Sequence, residues 1–264
     1  MKTILVSIDL TVASENAMLY AGKFARGTNS SIILLHTYQI PVSLNDAPIL
    51  MIPEEEIKKS VDENLDRAKE LINKNYPGIS IHTESRLGDE IDELNDVCST
   101  YNPFVIIIGK HSSKGVERFV FGDADMAIIR HASVPVIAVP DDFPIRDIKN
   151  IGFASDGSEK TGHLEKIREV VSLLGSKLHC IHVKTSDDEP DINLNNILPE
   201  LQPQCETIKD ENFSHAMQSF LSSHQLDLLI LIPHKHNLVE RLFFKIHTAS
   251  ILHTLNIPVM CIPF

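Results

Sequence analysis

The chain contains the same strand pattern twice. In residues 4–9 and 151–156 an apolar run ends in aspartate, and in residues 134–136 and 257–259 a proline stands between two β-branched residues. A third matching pair, Glu-Arg followed by three apolar residues, begins at Glu117 and at Glu240, at the same distance before the proline in each copy. Self-similarity at a fixed spacing indicates a repeated structural unit. The chain is therefore predicted to be a duplicated domain.

Length and composition fit this prediction. A chain of 264 residues with 43% hydrophobic and 23% charged residues is long enough for two globular domains. We expect a first domain over residues 1–142 and a shortened second domain over residues 147–264. The linker between them is short, so the two copies should pack together. The formal net charge of -12 argues against a nonspecific nucleic-acid binder, which needs a basic face.

No segment of the sequence predicts export or membrane insertion. The apolar run near the N-terminus is too short for a signal peptide, and no stretch approaches the roughly 18 to 20 apolar residues of a membrane span. We therefore expect a cytoplasmic protein. The four cysteines have no CxxC spacing, which makes a disulfide scaffold or a structural zinc site improbable. They are interpreted as small buried residues: Cys98, Cys180, Cys205 and Cys261.

The order of elements predicts an α/β fold. In the first copy, apolar strands alternate with amphipathic segments in the order β-α-β-α-β-α-β-α-β, with a long helix over residues 54–75. This order implies an open, mostly parallel, five-stranded sheet flanked by helices in each copy. The second copy lacks the long helix. In its place residues 186–203 predict a loop with at most one short helical turn at residues 194–198.

Four features together resemble a known family: a strand ending in aspartate before Ser/Thr, a histidine closing the second strand, a glycine at a strand end, and a second glycine before a helix. The sequence resembles a tandem universal stress protein, with both copies and nearly the whole chain accounted for. The resemblance implies sheets of the adenine nucleotide alpha hydrolase-like type. It also implies a nucleotide cleft, because the family's ATP-binding members carry the motif Gly-x2-Gly-x9-Gly-Ser/Thr.

The first copy matches that motif in part. Gly109 and Gly122 stand at motif glycines, whereas Ser112 replaces the second glycine and Asp123 replaces Ser/Thr. Asp9 matches the family's adenosine-site aspartate, and a threonine stands where the family often has valine. The resemblance thus implies a candidate nucleotide cleft, for ATP or another adenine nucleotide, that comprises Asp9, Thr37, Gly109, Ser112, Gly122 and Asp123.

The two replacements should weaken this cleft. A serine that copies a glycine conformation at position 112 costs about 1 kcal/mol. The Asp123 carboxylate would take the anion position at a helix N-terminus, and like unit charges about 4 Å apart repel by about 1 kcal/mol in water and about 4 kcal/mol at an effective dielectric of about 20. ATP binding in the first copy is therefore predicted to be weak or absent. Lys110, Lys114 or a bridging metal would oppose this effect.

The second copy keeps the start of the cleft and loses its loop. Asp156, Gly157 and Ser158 match the family's usual start. Pro233, however, replaces the first motif glycine, and Lys245 falls where the first copy has Gly122. A cradle of backbone amides is hard to build without glycine, and proline has no amide donor. We predict a vestigial cleft at Asp156 and Ser158 that does not bind nucleotide in the family's manner.

The histidines offer little support for other chemistry. A metal or anion site at His234 and His236 has no nearby acid or cysteine to complete it, so a solvated loop is the preferred interpretation. His36 and His182 close apolar strands and are interpreted as hydrogen-bonded residues at the edge of the core. No serine has a histidine and an acid at motif spacing, so no catalytic residue and no metal ligand is predicted.

The two proline-containing end strands, residues 134–139 and 257–262, should pair across an internal pseudo-twofold axis, since this strand commonly mediates dimerisation in the family. A homodimer of the whole chain is left open. The leading hypothesis is a non-catalytic stress-response protein. The alternative is an adenine-nucleotide switch that uses the first domain only. An adenylyl transferase on the same sheet type is a third hypothesis, but its phosphate motif is missing after the first strand.

Overall fold

The computed structural model describes residues 1–9, 11–40, 53–110, 123–187, 192–233 and 256–263. The described strands are β1 Lys2–Ser7, β2 Ser30–Tyr38, β3 Ile81–Leu87, β4 Val105–Lys110, β5 Val136–Pro140, β6 Asn150–Ala154, β7 Lys177–Lys184, β8 Gln204–Lys209, β9 Leu228–Leu231 and β10 Val259–Cys261. The described helices are α1 Val12–Thr28, α2 Glu54–Asn75, α3 Glu90–Tyr101, α4 Asp123–His131, α5 Thr161–Leu174 and α6 Phe213–His224.

The strands form one sheet of ten, in the order β3-β2-β1-β4-β5-β10-β9-β6-β7-β8. Each half is parallel, and the junction between β5 and β10 is antiparallel. The predicted α/β class is thus confirmed, with the two five-stranded sheets joined edge to edge. Because the halves run in opposite directions, the carboxyl ends of β1 to β5 and those of β6 to β10 lie at opposite edges of the sheet.

The predicted pairing of the end strands is present in the structure. Three residue pairs form the antiparallel ladder, and Ile137 stands opposite Met260 at its centre. Both side chains are 0% exposed. This junction leaves β3 and β8 as the outer strands of the described sheet.

Helices cover the sheet in two layers. One apolar cluster joins the sheet to α1, α2 and α5, and the other joins it to α3, α4 and α6. The sequence explains the long helix α2 locally, because one of its faces carries the buried residues Val61, Leu65, Ala68 and Ile72. The predicted bounds of this helix, residues 54–75, are confirmed.

The second copy replaces α2 with two 3₁₀ turns among its described residues, Leu194–Asn196 and Pro199–Leu201. The loss of the long helix is therefore confirmed, although two turns stand where at most one was expected. Leu198 separates them with a φ of 48°, which breaks the helical path. Leu194, Ile197 and Leu198 are buried and cover the sheet face that α2 covers in the first copy.

The short linker is held on both sides. The Asn16 side chain donates to the backbone carbonyls of Pro140 (2.6 Å) and Phe143 (3.0 Å). Arg146 Nε lies 2.6 Å from Asp227 Oδ1, and Asp227 is buried. Because linker residues are bonded to both copies, the copies are packed together, as the short linker predicts.

Two expectations about composition can be compared with the structure. Within the described ranges, no helix is long and apolar enough to cross a membrane. All four cysteines are free thiols. Cys98, Cys180 and Cys261 are buried as expected, but the prediction was wrong for Cys205, which is partly exposed on the outer strand β8.

Candidate functional site

The topology places one candidate cleft at each edge of the sheet. In the first copy β1 pairs with both β2 and β4, and in the second copy β6 pairs with both β7 and β9. Ligands of open parallel sheets bind beyond the carboxyl ends of strands where the strand order reverses. Asp9 and Gly109 lie at that point in the first copy, and Asp156 lies there in the second. Opposite edges mean that the two clefts share no ligand.

The Asp9 carboxylate closes a local turn. Its Oδ1 accepts hydrogen bonds from the Thr11 amide (3.1 Å), the Thr11 hydroxyl (2.6 Å) and the Ser14 hydroxyl. The Ser14 oxygen in turn accepts from the Asp9 amide at 2.9 Å. These bonds set Thr11 as the N-cap of α1. The family's adenosine-site aspartate therefore has a structural role in the entry to the first helix.

Asp156 makes the corresponding turn in the second copy. Its Oδ1 accepts from the Ser158 amide at 3.0 Å and from the Ser158 hydroxyl at 2.7 Å. Gly157 between them has a φ of 80°, in the left-handed region that glycine tolerates. The same aspartate-to-Ser/Thr bonds thus occur in both copies, although the two copies differ in the sequence of the phosphate loop.

Gly109 is required by the packing of α1. A Cβ added at this position would lie 2.5 Å from the Ala13 carbonyl carbon, 2.6 Å from its oxygen and 2.8 Å from the Ser14 amide nitrogen. All three atoms belong to the backbone, so no side-chain rotation can relieve the overlap. The glycine therefore lets the start of α1 lie directly against the end of β4, a role that sequence reasoning missed because a glycine motif does not say what approaches the glycine.

The register of the strands corrects the alignment of the second copy. Ile4 stands opposite Val105 in the first copy, and Ile151 stands opposite Leu228 in the second. Counting along β4 and β9 from these pairs places Ile232 where the first copy has Gly109. Pro233 corresponds to Lys110, and the sequence-based match of Pro233 to the motif glycine was wrong by one residue. The second copy thus has a large side chain where the first has hydrogen.

A further apolar side chain covers the second cleft. An added Cβ at Gly157 would lie 3.0 Å from Ile192 Cδ1, and two more Ile192 carbons lie within 3.3 Å of that position. Ile192 lies two residues before the first 3₁₀ turn and packs against the core cluster on that face. The segment that replaces α2 therefore reaches the Asp156 turn and lies over it.

Lys110 is a buried cation beside the first cleft. It ends β4 directly after Gly109 and is only 2% exposed. Burial lowers the pKa of its ammonium to about 8, against the opposing effect of the Asp142 and Asp141 carboxylates. The sequence had suggested Lys110 as a loop cation; its position at the end of a buried strand and its lowered pKa were not foreseen.

His36 and His182 bond to the backbone as expected, although β2 and β7 each continue two residues beyond the histidine that was predicted to close the strand. His36 Nδ1 lies 2.6 Å from the Ile8 carbonyl oxygen, and His182 Nδ1 lies 3.0 Å from the Ser155 carbonyl oxygen. Both carbonyls directly precede the strand-ending aspartates. Each histidine therefore ties the second strand of its copy to the first.

The phosphate side of the first cleft stays a prediction. Ser112, Gly122 and Lys114 lie outside the described residues, as do His234, His236 and Lys245. Asp123 begins α4, but its side chain is also outside the described set. Thr37 is half-buried near the end of β2, which pairs with β1, the strand that leads to Asp9.

Among the described residues, no group of three His, Cys, Asp or Glu side chains is placed to hold a metal ion.

Comparison with protein-family models finds a match to the universal stress protein family over residues 1–140. The chain belongs to this family. The fold agrees with solved members: a universal stress protein from Archaeoglobus fulgidus DSM 4304 superposes with a TM-score of 0.77 at 17% identity, over 99% of this chain and 98% of that chain. A protein of unknown function from Pseudomonas aeruginosa PAO1 gives 0.64 at 16% identity, over 100% and 92%. A search of curated proteins found no match.

Proposed function

We propose that this universal stress protein is non-catalytic and that its phosphate-binding motifs are degraded in both domains. The observation that carries the proposal is a contact that Asp9 and Asp156 share. In each copy the strand-ending carboxylate bonds the Ser/Thr two residues later and closes the turn. A residue that is retained for the fold gives no evidence for a ligand.

The surroundings of the two turns support the same proposal. Gly109 is accounted for by the backbone of Ala13, without any phosphate. In the second domain Ile232 takes the place of that glycine, and Ile192 lies over Gly157. We assign the domains to residues 1–142 and 147–264, with the second cleft closed by the chain itself. The output of the protein would then be its folded surface and the partners that bind it.

Family membership and the cysteines favour the cytoplasm as the location. All four thiols are free, which fits a reducing compartment. A homodimer of the whole chain is left open: β3 and β8 are the outer strands of the described sheet, and an outer strand is the kind of edge that pairs with a second copy.

Calorimetric titration of the full chain with ATP and Mg²⁺ tests the proposal. The expected result is no binding tighter than about 50 µM, equivalent to a binding free energy of about −5.9 kcal/mol. Asp9→Ala and Asp156→Ala are matched variants of the two clefts. Tighter binding that disappears in Asp9→Ala but persists in Asp156→Ala would refute the proposal.

One observation favours the alternative of an ATP-binding switch in the first domain. Lys110 follows Gly109 at the buried end of β4, and a phosphate bound close to its ammonium would stabilise the charged form. If this lysine binds phosphate, the titration should show binding, and Lys110→Met should weaken it at least tenfold. Absence of binding in the unmodified chain would exclude this alternative.

A further inference from the structure

Two of the four cysteines stand opposite each other on neighbouring strands. Cys180 of β7 and Cys205 of β8 are direct partners in the parallel register. Adjacent strands lie about 4.8 Å apart, within the span of roughly 4.4 to 6.8 Å between Cα atoms that a disulfide bridges. Both side chains belong to the same apolar cluster, so they project from the same face of the sheet. The pair therefore has the Cα spacing and the shared side-chain direction of residues that a disulfide can join.

Only one member of the pair is accessible. Cys180 is 0% exposed, whereas Cys205 is partly exposed on β8, the last strand of the described sheet. The remaining two thiols have no such arrangement: Cys98 lies on α3, and Cys261 stands between Val136 and Leu231 in the central ladder. An oxidant that reaches the chain thus meets Cys205 beside a second thiol.

The surroundings of the two thiols distinguish their roles. Burial raises the pKa of Cys205, and the hydrogen bond with Cys180 opposes that rise. Burial raises the pKa of Cys180 further, and Cys205 adds to the increase. Cys205 is therefore the sulfur that ionises first. The thiolate is the form that attacks oxidants.

We propose that Cys180 and Cys205 are an oxidation site that forms an intramolecular disulfide when the protein meets a hydroperoxide. The Cys205 thiolate attacks the peroxide oxygen; the O–O bond breaks, Cys205 becomes a sulfenic acid, and the alkoxide or hydroxide leaves and takes up a proton. The Cys180 sulfur then attacks the Cys205 sulfur, the S–O bond breaks, and water leaves with the Cys180 proton. The two thiols lose two electrons and the peroxide gains them.

The disulfide would enclose the segment that is peculiar to the second copy. Both 3₁₀ turns lie between Cys180 and Cys205 in sequence, as does Ile192 over the Asp156 turn. A bond within the β7–β8 ladder joins the outer strand covalently to β7 close to the point where this segment ends. Oxidation should therefore hold the cover of the second cleft in place. This inference does not depend on whether either cleft binds nucleotide.

Peptide mass spectrometry of the full-length protein tests the site. The reduced protein is treated with hydrogen peroxide, the free thiols are alkylated after denaturation, and the digest is analysed without reductant. The expected product is a Cys180–Cys205 linked peptide, with Cys98 and Cys261 recovered alkylated as internal controls. Because the thiolate fraction increases about tenfold per pH unit below the pKa, the rate of linkage should rise steeply between pH 7 and pH 8.5.

Two variants separate the proposed roles. In Cys180→Ser, Cys205 should stop at the sulfenic acid, which dimedone traps; in Cys205→Ser, Cys180 should stay reduced. Should either variant fold poorly, the unmodified chain decides the matter alone. Oxidation of Cys205 to sulfinic acid without the linked peptide, disulfides between chains, or equally fast oxidation of Cys98 and Cys261 would each overturn the proposal.

Discussion

Ile137 and Met260 are paired with each other at the centre of the ten-stranded sheet, and each occupies the equivalent position in its own copy. Ile137 also pairs with Ile107 of β4, as Met260 pairs with Ile230 of β9. A pair of equivalent residues that face each other lies on a local twofold axis, the geometry of an isologous dimer interface. The duplicated chain thus contains within one polypeptide the interface that two separate copies would otherwise form.

Ile137→Lys should disrupt this junction. The side chain is 0% exposed, and a lysine there would place a charge between the two copies. We expect this to lower the free energy of unfolding by about 4 kcal/mol. We expect a lower urea midpoint and aggregation on size-exclusion chromatography. The matched control is Leu87→Lys on the outer strand β3, where the side chain is 42% exposed and the change should stay within about 0.5 kcal/mol. A monodisperse Ile137→Lys protein with an unchanged midpoint would count against the pairing.

Gly109→Ala should destabilise the first copy without any ligand present. The new methyl group would overlap the backbone of Ala13, which can yield only if α1 shifts, and we expect a loss of about 2 to 3 kcal/mol in the free energy of unfolding. The control is Gly162→Ala in α5, where an added Cβ meets nothing within 4 Å and the helix should gain about 0.5 to 1 kcal/mol. Chemical denaturation measures both. Equal effects of the two substitutions would show that Gly109 is not a packing residue.

Lys110→Met should stabilise the protein in a pH-dependent way. The folded-state pKa of Lys110 is about 8, below its ordinary value of 10.5. Below pH 8 the lysine is charged in both the folded and the unfolded state. Burial of the charge then lowers the free energy of unfolding by its full amount, about 3 kcal/mol. Between pH 8 and 10.5 the unfolded chain binds a proton that the folded chain lacks, so the stability of the unmodified protein rises with pH. Denaturation at pH 7 and pH 10 should show the advantage of the methionine variant shrinking; an advantage that is absent or constant would contradict the lowered pKa.

Much of the fold followed from the sequence because the repeat supplied an internal comparison. The bounds of α2 were correct because its apolar residues recur at helical spacing along the whole helix, and the pairing of the end strands was correct because the family resemblance implied it. The site was less accessible to prediction. A glycine motif could not show that Gly109 faces Ala13 rather than a phosphate, and matching Pro233 to that glycine required a one-residue shift that the strand register does not contain. Cys205 is partly exposed because β8 is an outer strand of the sheet. The position of a strand within a sheet cannot be predicted from the residues of that strand alone.

Thermal unfolding of three proteins, each with and without ATP and Mg²⁺, tests the central claim that the repeated aspartate serves the fold. The unmodified chain is compared with Asp9→Ala and Asp156→Ala. Because each carboxylate accepts hydrogen bonds from the Ser/Thr two residues later, both variants should lose about 1 kcal/mol, and nucleotide should shift none of the three midpoints. A ligand at 100 times its Kd would add about 2.7 kcal/mol of stability. Stabilisation of that size in the unmodified chain, abolished by Asp9→Ala alone, would contradict the account.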